Sequence, residues 1–198
     1  MFNLPIHIQH TVGPLSILLL ALGLYVFEPA SAQWLAYDRT AIEGMQLWRL
    51  LSANLLHTNF NHLLLNGAGL ILLWALHGEY YRPLSYITLM LIFSLGCTLG
   101  IYLFAVQLHW YVGLSGALHG MFIWGAYGDI RNKLVSGWVL FAGVWLKILY
   151  EQIEGPSLEV AKLINANVAT EAHLFGALSA MLVILIVFIR LQVRKRVT

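Results

Sequence analysis

The sequence predicts an all-α membrane protein, a six-transmembrane-helix bundle with a long first loop. Three observations carry this. Of 198 residues, 60% are hydrophobic and only 10% charged, more apolar surface than a water-soluble domain of this length can hide. The apolar residues gather in six stretches, each close to the roughly 20 residues a helix needs to cross the hydrocarbon layer. Charges, finally, segregate between alternate connections. Six spans with short links fill residues 1–198 as a single domain and leave no room for a separate soluble one.

The first span is read over residues 14–27. With Ala30-Ser31-Ala32 behind it, it resembles a signal peptide, but no Lys or Arg precedes it, so a retained helix is expected. A long connection follows, roughly 28–59, in which apolar and polar residues mix as in helical pieces lying at an interface. Trp34 and Trp48 would anchor them at headgroup level. The second and third spans are read at about 60–76 and 84–106, separated by a tight turn at 78–83. The fourth runs from about 113 to 127 and the fifth from about 135 to 150. After a polar connection, the sixth runs from about 171 to 189.

Orientation follows from the charges. With the C-terminus in the cytoplasm, the inner connections hold Arg82, Arg131, Lys133, Arg190, Arg194, Lys195 and Arg196 against Glu79 and Asp129. The outer ones hold Arg39, Arg49 and Lys162 against Glu28, Asp38, Glu43, Glu151, Glu154, Glu159 and Glu171. Seven basic against two acidic becomes three against seven. The positive-inside rule therefore places both termini in the cytoplasm. A net charge of +2 gives no reason to expect a nucleic-acid partner, and lipid is the expected surrounding. The single cysteine, Cys97, has no partner in the chain, so neither a disulfide nor a Cys-based metal site is expected.

Three polar groupings then fall at one depth, on three spans: His62 and Asn66 on the second, Ser115 on the fourth, His173 on the sixth. Polar groups are costly inside a bilayer, so their convergence reads as a functional site, although each alone is ordinary helix-packing glue. Gly113-Leu114-Ser115-Gly116 sets a serine between small neighbours that let a substrate backbone approach. His173, followed by Gly176 and Ala180 at small-xxx-small spacing, lets the sixth span pack tightly on the fourth. A serine needs such a base to become nucleophilic near neutral pH. No orienting carboxylate is expected: Asp129 lies 14 residues beyond Ser115, roughly 21 Å down a helix, and Asp38 sits in the outer loop. The expectation is a Ser–His dyad. His62 and Asn66, at i and i+4, present two polar groups on one face for an oxyanion, or else bridge helices structurally.

These residues resemble the rhomboid family. Trp48-Arg49, the His62 to Asn66 segment, the GxSG at 113–116 and Ala172-His173 leading to Gly176 match its motifs in order, over about 48–180. The resemblance implies a six-helix core with a cavity open to the outside, Ser115 and His173 as the catalytic dyad of an intramembrane serine protease, and His62 and Asn66 as oxyanion stabilisers. It implies no cofactor and no metal. The family commonly has a tyrosine where this chain has His119. Stacking of His119 on His173 is the expected substitute, since a base on the nucleophile's own helix is less free to meet its proton. The run Gly113-Leu114-Ser115-Gly116-Ala117-Leu118-His119-Gly120, with Lys147-x-x-x-Glu151-Gln152, is similar to the rhombosortase branch. That implies a bacterial inner (cytoplasmic) membrane protein with a periplasm-facing site, and transmembrane substrates carrying a C-terminal Gly-Gly-type tail. Lys147 and Glu151 read as an i, i+4 ion pair, or Lys147 meets an anionic headgroup or substrate carboxylate.

Other classes remain open on the sequence. His57, His62, His119 and His173 suggest a metal-dependent hydrolase, against which the layer lacks the usual carboxylates and HExxH is absent. An inactive helix-binding relative is a second alternative. A transporter would need paired broken helices, which are not evident.

Overall fold

The computed structural model describes residues 4–197, with side chains as far as Arg194; Lys195 and Arg196, used in the charge count, have side chains outside the described residues. In chain order the elements are α1 (Ile8–Val26), α2 (Ala30–Leu35), β1 (Tyr37–Asp38), α3 (Arg39–Glu43), α4 (Arg49–Ser52), α5 (Phe60–His77), α6 (Pro83–Phe104), β2 (Trp110–Tyr111), α7 (Ser115–Arg131), α8 (Val135–Glu154), α9 (Leu158–Ile164) and α10 (Thr170–Val197). Helices at Ile8–Val26, Phe60–Tyr80, Pro83–Phe104 and Thr170–Arg194 are long and apolar enough to cross a membrane. The chain is a multi-pass membrane protein.

The two remaining long helices differ for a physical reason. α7 has 17 residues, and its Gly116, Ala117, Gly120, Gly125 and Ala126 are buried. It is enclosed by α5, α6, α8 and α10, so it needs close approach rather than bulky lipid-facing side chains. α8 packs chiefly on α7 and carries Lys147, Glu151 and Glu154 among its 20 residues. Its outward face, with Trp138, Leu146 and Ile153 exposed, is apolar.

Helix bounds depart from the sequence reading at the start of α1 and at the ends of α7, α8 and α10, which reach Arg131, Glu154 and Val197. α1 starts before Pro14, which sits inside the helix as its seventh residue; there proline forgoes the bond that an N–H would make to the His10 carbonyl, a cost the rest of the apolar helix outweighs. α8 continues to Glu154, where Gly155 at φ +84° ends it. Glu151 and Glu154 therefore stand in its last turn, not in a connection.

The 28–59 segment folds onto the Ser115 end of the bundle. Asp38 caps α3, accepting from the Ala41 amide at 2.9 Å, and β1 pairs antiparallel with β2, Tyr37 opposite Tyr111. These two short strands were not anticipated. Arg49 is buried and donates to the Ala36 carbonyl at 2.7 Å, the Gln33 carbonyl at 2.8 Å and the Gln46 amide oxygen at 2.8 Å. Arg39 donates to the carbonyls of Ile101, Tyr102 and Ala105 at the end of α6. Both arginines thus satisfy backbone that would otherwise be stranded. Trp34 and Trp48 are exposed, and the Trp48 indole donates to the Trp34 carbonyl at 3.0 Å.

Candidate active site

The site begins with a backbone contact. A Cβ built on Gly176 would overlap the Gly116 carbonyl, and one on Gly120 would lie 2.8 Å from the Gly176 carbonyl. α7 and α10 therefore touch main chain to main chain, as small residues permit. This brings His173, one turn before Gly176, over Ser115 at the first turn of α7. Ser115 Oγ and His173 Nε2 are 3.0 Å apart.

Gly113 does two jobs. Its φ of +136° is one that side-chain-bearing residues rarely adopt, and a Cβ there would stand 2.9 Å from His62 Cε1 and Nε2. Tyr111 donates its hydroxyl to the Gly113 carbonyl at 2.6 Å; burial holds this phenol far above its usual range, so it remains a donor. His62 is therefore seated against the turn that leads into Ser115. Its Nδ1 faces Thr58, 3.4 Å from the amide nitrogen and 3.1 Å from Oγ1. Asn66, one turn on, donates to the His62 carbonyl at 3.2 Å.

His62, Asn66, Ser115, His119, Lys147 and Glu151 all line one cavity of ≈ 290 Å³, which His173 also borders. Leu65, Leu118 and Phe122 make much of the rest of its wall. A second cavity of ≈ 350 Å³, bordered by Gln107, His109 and Asn167, also reaches Ser115 and His62. The nucleophile candidate thus stands between an apolar chamber and a more polar one. α9 closes over both: Thr58 donates to the Ile164 carbonyl at 2.6 Å, and Asn59 to that of Leu163 at 3.0 Å. The sequence reading assigned this segment only as a polar connection, although the Ser157 cap ahead of α9 was a usable signal.

Two expectations need correction. No carboxylate was expected near His173, yet Glu151 Oε2 accepts from His173 Nδ1 at 2.8 Å, while Oε1 accepts from Lys147 Nζ at 2.6 Å. The cause is the length of α8. Its final turn, held to the start of α10 by Gln152 donating to the Thr170 carbonyl at 3.1 Å, delivers Glu151 to the imidazole. The layer of histidines also does contain a carboxylate: ligand atoms of His119, Glu151 and His173 lie within 4.8 Å of one another. They are poorly arranged for an ion. The rings of His119 and His173 stack at 4.1 Å and 20°, so their lone pairs run side by side instead of converging, and both nitrogens of His173 are engaged.

His119 Nδ1 donates to the Ser115 carbonyl at 2.7 Å, which fixes its ring over that of His173. His57 packs edge-on against His62, with ring centres 5.0 Å apart. Burial, then the neighbouring His62, pushes its pKa down to about 3.

A hydroxyl in contact with an imidazole, beside side-chain amide and imidazole donors, is chemically suited to attack on a carbonyl carbon. Residues 44–190 match the family description "Rhomboid domain". The chain is also similar to Rhomboid protease GlpG of Yersinia enterocolitica, 27% identical over 190 residues, covering 88% of this chain and 63% of that protein. It thus spans less than two thirds of that relative's length. On the match across most of its residues, this chain belongs to the rhomboid family.

Proposed function

We propose that the protein is an intramembrane serine endopeptidase working through Ser115 and His173. The observation that carries this is the 3.0 Å approach of His173 Nε2 to Ser115 Oγ at the meeting point of the two cavities. Membrane-embedded polar groups are retained at a cost, and a hydroxyl–imidazole contact opening on a cavity gives that cost a use.

In this reading the Ser115 proton passes to His173 as Oγ bonds to the scissile carbonyl carbon. His173 then gives the proton to the leaving amine, and water drawn from the polar cavity cleaves the acyl-enzyme by the reverse relay. His62 Nε2–H, an Asn66 amide hydrogen and the Ser115 amide serve the oxyanion. The required His62 tautomer is the one in which Thr58 donates into Nδ1.

The bundle is read as six spans, α1, α5, α6, α7, α8 and α10, with both termini in the cytoplasm and the site toward the periplasmic face of a bacterial inner membrane. The charge asymmetry of the connections supports this orientation. Substrates are membrane proteins with a C-terminal Gly-Gly-type tail, as the rhombosortase-like run around Ser115 suggests. Glycine weakens a helix where a chain must unwind to reach a serine. The test is reconstitution with a Gly-Gly-tail substrate and mass spectrometry of the new C-terminus. Cleavage by wild type, with none by Ser115→Ala or His173→Ala, is expected; equal cleavage by either variant overturns the reading.

A further inference from the structure

We propose that Glu151 is a positioning residue of this hydrolytic centre, with Lys147 as its anchor. The inference rests on the reading of Ser115 and His173 above and deepens it from a pair to a hydrogen-bonded row of four residues.

A neutral imidazole carries one N–H, and a carboxylate can only accept. With Glu151 Oε2 at 2.8 Å from Nδ1, the hydrogen of His173 is therefore held on Nδ1. The Nε2 lone pair is left for Ser115, 3.0 Å away. Without an acceptor at Nδ1, half the imidazole's choices would present a hydrogen to the serine hydroxyl, and no proton could move. As Oγ bonds to the carbonyl carbon, the Ser115 proton goes to Nε2. Nδ1–H stays on the imidazolium and Glu151 stays ionised, opposing the new charge. The proton on Nε2 then leaves with the amine nitrogen as the C–N bond breaks.

Three features separate this from an ordinary helix-surface ion pair. Such a pair has both members in solvent or at the interface and contributes little. Here the Lys147 side chain is 49% exposed, whereas Glu151 is only 12% exposed and turned toward α10. The two carboxylate oxygens are divided, Oε1 to Lys147 at 2.6 Å and Oε2 to His173 at 2.8 Å, so a side chain with several free torsions is tied at its reactive end from both sides. The next residue, Gln152, pins the same turn of α8 to the α10 backbone at Thr170. That bond sets the spacing between carboxylate and imidazole independently of either side chain.

The experiment uses the full chain in proteoliposomes. One measurement is the rate at which a fluorophosphonate probe labels Ser115; the other is kcat and KM on a Gly-Gly-tail substrate. Glu151→Gln keeps the size but loses the charge and puts an NH2 donor in place of one of the two accepting oxygens. It is expected to lower kcat and the labelling rate by about 10²-fold or more, with KM within about twofold because the residue acts on the base and not on the substrate. Glu151→Asp, which restores a shorter carboxylate, is expected to recover about tenfold. Lys147→Met is expected to fall by about threefold to tenfold, again in kcat. Glu151→Gln labelled within about threefold of wild type, or a loss confined to KM, overturns the role of Glu151 and leaves the hydrolase reading standing. Wild-type protein that the probe never labels at Ser115 overturns both. Should Glu151→Gln fail to fold, as judged by thermal melting, Lys147→Met decides: a lowered kcat supports the positioning role and an unchanged one overturns it.

Discussion

The two ends of the bundle each hold a histidine, a carboxylate and a hydroxyl, and they use them differently. At the Ser115 end, His173 touches Ser115 at 3.0 Å and Glu151 at 2.8 Å, and the group borders open space. At the other end, Asp129 accepts from Tyr80 at 2.6 Å and from Ser136 at 3.1 Å, with His77 Nε2 3.5 Å away. In that second cluster Asp129 and His77 are buried while Tyr80 and Ser136 stand at the surface, and together they clamp the α5–α6 turn, α7 and α8. The difference teaches that composition alone does not set how an imidazole is placed: His173 shares both nitrogens and borders a cavity, whereas His77 is sealed in beside Asp129.

The largest effect that would break this contrast is on the nucleophile. Ser115→Ala and His173→Ala should each reduce cleavage by about 10³-fold or more. Asp129→Asn should leave kcat per folded molecule within about twofold and instead lower stability by about 1–3 kcal/mol, through a weakened buried network, read by thermal unfolding. A comparable loss of cleavage in Asp129→Asn would erase the distinction.

Next in size is the helix contact. Gly176→Val must push α10 off the Gly116 carbonyl, and cleavage should fall by about 10²-fold alongside a stability loss of about 1–3 kcal/mol. Thr58→Val removes the hydroxyl that ties α9 to the turn before His62 through the Ile164 carbonyl, and should cost about fivefold in kcat, with fluorophosphonate labelling reporting the same drop. His119→Tyr keeps a ring over His173 and should stay within about threefold of wild type in the same assay; a loss as deep as that of His173→Ala would mark His119 as the base.

The smallest effect is on stability against pH. The His57 pKa is depressed to about 3 in the folded protein against 6.5 for the free side chain, so only the unfolded chain takes up the proton between those values. Native stability should therefore be intact above about pH 6.5 and decline as pH falls toward 3. His57→Leu should flatten that decline in a melting-temperature series from pH 7 to about pH 4.

Much of this was legible because it is local. The GxSG turn, the His62–Asn66 spacing and the Gly176–Ala180 repeat each state a requirement within a few residues, and the helix cores at 60–76, 84–104 and 135–150 follow from apolar runs. The contact of Glu151 with His173 was not legible. Lys147 four residues earlier satisfies it as an ordinary pair, and nothing in a single sequence says that α8 runs to Glu154 or leans on α10. The pairing of Tyr37 with Tyr111 was missed for the same reason, since two-residue strands far apart in the chain leave no periodic trace. The first helix begins at Ile8, ahead of the apolar run that starts at Pro14; His10 and Thr11 dilute the apolar signal there.

The glycine meeting of α7 and α10 has a mechanical consequence. Because the helices there abut through peptide groups, no rotamer change lies between the backbone of residue 116 and that of residue 176 to act as a cushion. Changes in bilayer thickness or lateral pressure can rock the outer helices without stretching the distance from hydroxyl to imidazole. Lipid composition should then govern how often a substrate arrives, and leave the rate of bond breaking once it is seated nearly constant.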